Sequence, residues 1–240
     1  MKVVYLPKVE IEKEIAKIFI NKVQENPSCV LGLATGSSPI GIYKNIIKAV
    51  ENKEVSFKNV TTFNLDEYVG LDENHDQSYR YFMNHNLFNH IDIDKNNTNV
   101  PSGFVSSDKE AALYDEAIAK KGGIDIQLLG LGSDGHIAFN EPGTPFDSLT
   151  HITELTEQTI SDNSRFFASI EDVPTKAVTM GLKSIMNAKK IVLIATGKNK
   201  ADVVRQLIHG EISEALPCSI LKKHDDVTIY VDSDLVVAGL

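Results

Sequence analysis

"CVLGLATGSSPIGIYKNIIKAV", residues 29–50, reads as three consecutive pieces. Cys29 to Ala34 is an unbroken apolar run with no polar face, which suits a strand covered on both sides. Thr35 to Ser38 make a turn, and Pro39 is acceptable as the first residue of the helix that follows. Outward from this unit the same alternation recurs. Before it, "KVVYL" reads as a strand, and Ile11, Ile15, Ile18, Phe19 and Val23 fall at helical spacing among charges. After it, "VTTFNL", "IDIQLLG", "KIVLIATG" and "DVTIYV" are strand-like, with helical stretches at "SYRYFMNHNLF", "DKEAALYDEAIAKK" and "KADVVRQLIHG", the last ended by Gly210. Alternation of this kind predicts an α/β fold with a mainly parallel central sheet and helices on both faces. One domain over residues 1–240 is expected, because no linker or repeat interrupts the chain. The least regular stretch, about 142–175, has the character of a functional lid.

Composition narrows the function classes. Lys and Arg total 24 against 33 Asp and Glu, a net charge of -9, so the basic surface that nucleic acid requires is absent. No apolar run reaches membrane-spanning length, and "MKVVYLPKVEIEKE" is too short in its apolar part for a signal peptide. Two cysteines, Cys29 and Cys218, make no disulfide framework. A soluble protein of the reducing cytoplasm is expected.

In a parallel sheet, ligands bind where the loops at the carboxyl ends of the strands converge. Four such loops carry chemistry: "TGSSP" (35–39), "NLDEYVG" (64–70), "GLGSDGHIAFNEPG" (130–143) and "TGKNK" (196–200). Gly36, Ser37 and Ser38 before a helix have the composition of an anion cradle, although an ordinary capped turn uses the same residues. Lys198 and Lys200 add positive charge in a second glycine loop. The third loop contains Gly130, Gly132 and Gly135 in the spacing of a dinucleotide fingerprint, but Asn140, Pro142 and Gly143 leave no room for the helix that would hold the phosphates. What remains is a turn presenting Asp134, His136 and Glu141. Two carboxylates around an imidazole orient it and favour its protonated form, which suits proton transfer. The competing reading is a plain Asp-Gly turn beside a packed histidine.

"FNLDEYVG" places Asp66 and Glu67 after an apolar strand, among Phe63, Tyr68 and Val69. A carboxylate facing an apolar pocket is a stronger base, as proton abstraction next to a carbonyl requires. An exposed acidic loop or a helix N-cap accounts for the same letters. No zinc motif is present, His85 and His90 do not share a helix face, and the calcium-like start at Asp92 lacks its glycine and its glutamate. No metal and no cofactor are expected.

Taken together, "LATGSSPIGIY", "TFNLDEYVGL", "SYRYFM", "LGLGSDGHIAFNEPG", "NSRFF" and "ATGKNKA" resemble the glucosamine-6-phosphate deaminases, also called isomerases, over nearly the whole chain. The resemblance implies a Rossmann-like three-layer α/β fold. It also implies conversion of glucosamine 6-phosphate and water to fructose 6-phosphate and ammonia, in amino-sugar catabolism. It casts His136, oriented by Asp134 and Glu141, in ring opening, and Asp66 as the base that moves the C2 proton to C1. Gly36, Ser37, Ser38, Arg165 and Lys200 match the positions that hold the phosphate, and about 156–175 matches the lid. His151 and Thr153 stand where the allosteric members carry basic residues, and the C-terminal extension of those members is missing. The resemblance therefore implies a monomer rather than a hexamer, without activation by N-acetylglucosamine 6-phosphate. Two alternatives share this fold: a 6-phosphogluconolactonase-like hydrolase and a non-catalytic sugar-phosphate sensor.

Overall fold

A computed structural model describes residues 1–237. The strands are β1 (Lys2–Leu6), β2 (Val30–Leu33), β3 (Thr61–Asn64), β4 (Asp66–Tyr68), β5 (Thr98–Asn99), β6 (Ile126–Leu129), β7 (His151–Glu154), β8 (Lys176–Thr179), β9 (Lys190–Ala195) and β10 (Val227–Asp232). The helices are α1 (Lys8–Glu25), α2 (Ile40–Glu51), α3 (Tyr79–Asn86), α4 (Asp108–Ala111), α5 (Leu113–Lys120), α6 (Glu157–Asn163), α7 (Leu182–Met186), α8 (Ala201–His209) and α9 (Ser233–Val237).

Seven strands form one sheet in the order β1-β10-β9-β6-β2-β3-β5, and every pairing in it is parallel. β2, β3, β6 and β10 are buried at every position, so both faces of the sheet are covered. That is the expected Rossmann-like layering, and the apolar runs account for it. In α1 the buried side chains are Ile11, Ile15, Ala16, Phe19 and Val23, a single stripe at helical spacing. They join one apolar core that reaches from Ile11 to Leu235. Cys29 and Cys218 are both buried free thiols.

From β2 the chain steps to β3 and β5 on one side, and later through β6 to β9 and β10 on the other. The direction of progression reverses between β2 and β6, which is where a doubly wound sheet opens a crevice. The loops after β9, β6, β2 and β3 belong to four consecutive strands of the sheet. These are the four loops that the sequence marks as unusual.

A second sheet was not legible. β4, β8 and β7 pair in that order and antiparallel, with Asp66 opposite Thr179 and Thr179 opposite His151. The stretch "NLDEYVG", read as a loop, is therefore partly strand: one residue after β3 the chain enters β4, where DEY is wholly buried. The irregular stretch holds β7, α6 and two short 3-10 turns at Ser164–Phe166 and Ile170–Asp172. Residues 108–121 form α4 and α5 with a break at Ala112 in place of one helix. Gly210 ends α8 without a left-handed φ, at -74°. Its lack of a side chain is what counts, since a Cβ would stand 2.5 Å from the Gln206 carbonyl oxygen.

Replacing Phe19, 1% exposed, by Ala should lower unfolding stability by about 3–5 kcal/mol, the usual loss for a buried ring. Urea denaturation measures it.

Candidate active site

The four loops line one cavity of about 710 Å³, whose wall includes Gly36, Ser37 and Ser38 from the first, Asp66 from the second, Gly130 to Ser133 and His136 from the third, and Lys200 from the last. Arg165, in the turn after α6, completes the wall together with Thr159 and Asn163. Every residue expected to hold phosphate reaches this cavity. Gly36 has φ +84°, a left-handed turn that brings Ser37 and Ser38 to the start of α2.

The glycines of the third loop serve the histidine. A Cβ on Gly132 would lie 2.3 Å from the His136 ring, so this position is empty to seat the imidazole. Gly135 turns the chain at φ +90°, and its N–H donates to the Gly132 carbonyl at 3.1 Å. Gly130 has open space around it and no such demand. The fingerprint-like spacing thus comes from a histidine seat and a tight turn. From the far end of the chain the Cys218 N–H donates to the Gly135 carbonyl at 2.9 Å, bracing the turn.

His136 sits between two carboxylates. Its Nδ1 is 2.7 Å from Asp134 Oδ1 and 3.5 Å from Glu141 Oε2, close enough for an ion pair although the N–H lies off the line to either oxygen. The Asp134 carboxylate also accepts the His136 backbone N–H at 3.1 Å. Burial acts to lower the imidazole's pKa, but Asp134 and Glu141 outweigh it and raise it to about 9. Burial likewise acts against ionised Asp134, and the His136 partner prevails, holding it well below the usual carboxylate range. Ligand atoms of Asp134, His136 and Glu141 lie within 4.8 Å of one another, a spacing that metal sites also use. The 2.7 Å contact is the separation of an ion pair, shorter than the spacing of about 3.3 Å between neighbouring ligands around a tetrahedral zinc.

Asp66 has the opposite environment. It is 6% exposed, and burial first, then the neighbouring Glu67 charge, raise its pKa to about 8 against the opposing pull of His136. Aromatic rings supply the apolar wall: Tyr68 lies 4.9 Å from Tyr79 and 5.9 Å from Phe139 between ring centroids, and Tyr79 stacks on Phe139. Glu67 has a different task. Its carboxylate accepts the backbone N–H groups of Tyr79 and Arg80 at 2.9 and 3.0 Å, satisfying the start of α3. Of the two acids, one is the desolvated candidate base and the other caps a helix.

One strand registers both halves. Thr179 on β8 stands opposite Asp66, while its Oγ1 accepts the Phe139 N–H at 3.0 Å. The next residue, Met180, accepts from Asn140 Nδ2 at 2.8 Å. Thr179, Asn140, Tyr79, Thr159 and Asn163 escaped the sequence reading. Their partners lie far away in the chain, and only the "SYRYFM" stretch gave a local hint of one of them.

The family model for glucosamine-6-phosphate isomerases/6-phosphogluconolactonase matches residues 9–230. The chain belongs to this family. A glucosamine-6-phosphate deaminase of Clostridium novyi (strain NT) is 53% identical over 226 residues, 94% of either chain. One from Mycoplasma mycoides subsp. mycoides SC is 52% identical over 235 residues, 98% of this chain and 96% of the relative. A solved structure described as a monomeric glucosamine-6-phosphate deaminase superposes with a TM-score of 0.95 at 43% identity, covering 99% of this chain and 100% of that one. The 6-phosphogluconolactonase of Thermotoga maritima shares the fold at a TM-score of 0.75 and 20% identity, over 96% of this chain and 98% of its own. Within the family, then, the deaminase branch is the near one.

Gly132→Ala should push the ring off its seat while leaving the protein folded. Titration of His136 followed by NMR should then fall from about 9 toward the ordinary histidine value, as the contact with Asp134 is lost.

Proposed function

We propose that this protein is a glucosamine-6-phosphate deaminase that isomerises and deaminates glucosamine 6-phosphate to fructose 6-phosphate and ammonia. The observation that carries the reading is one cavity holding a desolvated carboxylate, Asp66, and a carboxylate-paired imidazole, His136, beside Ser37, Ser38, Arg165 and Lys200. Identities above 50% with named deaminases over nearly full length support it. On a chain of net charge -9, a sugar phosphate has to be caught by local donors, and these four side chains with the start of α2 supply them.

Chemistry follows from the two environments. Paired and protonated, His136 gives a proton to the ring oxygen and takes up the proton of the C1 hydroxyl, so that the bond from C1 to the ring oxygen breaks and the aldehyde forms. Asp134 and Glu141 stabilise the charged imidazole while this happens. Asp66 then takes the C2 proton, and the electrons of that C–H bond form a C1–C2 double bond as His136 protonates the carbonyl oxygen, giving an enolamine. The proton returns from Asp66 to C1, leaving C2 double-bonded to nitrogen. Water adds at C2 and ammonia departs, leaving the ketone, and the proton released returns to His136. A carboxylate in water is too weak a base for the second step, and desolvation raises its strength. The turns and helix at 156–175 act as the lid that brings Arg165 over the phosphate. The protein acts as a monomer in the cytoplasm; the likeness to the solved deaminase described as monomeric supports the first part of this reading, and no helix among the described residues is long and apolar enough to cross a membrane.

The decisive test is release of ammonia and fructose 6-phosphate from glucosamine 6-phosphate by the purified protein. 6-Phosphogluconolactone serves as the control substrate, and turnover of that lactone alone would sink the reading. Asp66→Asn should retain substrate binding and lose exchange of the C2 hydrogen with solvent, seen by NMR in deuterated water. The free protein must hold Asp66 deprotonated and His136 protonated. kcat/KM should therefore rise as pH passes about 8, fall as it passes about 9, and peak between the two.

A further inference from the structure

Helix α6 touches the acid–base centre at a point that the chemistry above does not use. The Thr159 hydroxyl donates to Glu141 Oε1 at 2.7 Å, and the other oxygen of the same carboxylate faces His136 Nδ1. A hydroxyl has one proton to give, so Thr159 must receive from elsewhere if its own oxygen is to be satisfied. Thr156, the N-cap of α6, provides this: its hydroxyl donates to Thr159 Oγ1 at 3.0 Å and accepts the Thr159 backbone N–H at 3.2 Å. The result is a directed chain from the start of the helix through two threonines to the carboxylate. Thr159 is 8% exposed and Glu141 7%, so water does not readily replace either partner.

The far end of α6 is tied as well. Asn163 Nδ2 donates to the Tyr68 hydroxyl at 2.9 Å, and Tyr68 lies two residues beyond Asp66 on β4. Between the two ties, Ile160 packs on the cluster of Tyr68, Phe139, Leu155 and Ala177. This helix therefore contacts both catalytic halves at once.

We propose that Thr159 is a positioning residue: when α6 is seated, its hydroxyl holds the Glu141 carboxylate toward the His136 imidazole, and the acid–base centre is complete only in that state. The consequence for the reaction rests on the deaminase reading. Position of the lid and readiness of the ring-opening acid are then one variable, because the residue that fixes Glu141 belongs to the lid. The charged groups facing His136 are Asp134 in its own loop, Glu141, and Asp66 on β4, with Arg165 and Lys200 lining the same cavity. Without Thr159, Glu141 is free to turn away and Asp134 alone remains paired to the ring.

Thr159→Val keeps the branched shape and removes the donor, while Thr159→Ser keeps the donor and removes a methyl. The valine variant should show kcat reduced about tenfold with KM within about twofold of the unmodified protein, the size of a lost hydrogen bond to a charged group. In the ligand-free protein, the His136 titration followed by NMR should move down in the valine variant. The serine variant should recover both. A valine variant with unmoved His136 titration overturns the proposal whatever its kcat, as does a serine variant as impaired as the valine one. If the unmodified protein does not turn over glucosamine 6-phosphate, the functional reading falls, and the ligand-free titration alone decides what Thr159 does.

Discussion

Asp66 and the His136 loop lie about seventy residues apart in sequence, and a short antiparallel strand fixes their mutual position. Thr179 pairs with Asp66 through the backbone and holds Phe139 through its hydroxyl, and Met180 anchors Asn140. Met180 also donates its own N–H to the Leu65 carbonyl at 2.8 Å, just before Asp66. Rigid placement matters here because proton transfers to and from carbon tolerate little misalignment. The parallel sheet provides the crevice, and β8 sets what faces what inside it.

Within the crevice, three carboxylates are driven apart in proton affinity by their surroundings. Asp134 meets a cationic partner at 2.7 Å and stays ionised, whereas Asp66 loses its water to Tyr68, Tyr79 and Phe139 and becomes a stronger base. Burial also raises Glu67, but the backbone amides at the start of α3 oppose the shift by donating to its carboxylate. One functional group, the carboxyl, is thus placed as ion-pair partner, candidate base and cap, and the difference is hydration and neighbours.

Much of this was legible before any coordinates. Long apolar runs such as "KIVLIATG" and "DVTIYV" declare buried parallel strands, because only strands covered on both faces can spare every polar position. The grouping of His136 with Asp134 and Glu141 in the third loop was readable from residue types and spacing alone. The second sheet stayed hidden since its strands are short and polar: "DEY" and "HITE" have neither alternation nor length to separate them from loop. Gly132 matched a nucleotide fingerprint in spacing alone, a reading that its context excluded, and its true reason, the ring of His136, is a contact in space. Likewise Glu67 caps amides 12 and 13 residues further on, and Thr159 meets Glu141 across 18, separations that no local pattern records.

Among the described residues β1 has one neighbour in the sheet, β10, with Lys2 to Leu6 in register with Thr228 to Asp232. This pairing joins segments more than two hundred residues apart, the widest separation bridged by any strand pair among the described residues. Closing so long a loop is slow, and the edge of β10 stays bare until it happens. The β1–β10 seam therefore belongs among the late contacts of folding, and a chain that has not yet closed it carries an unpaired β1.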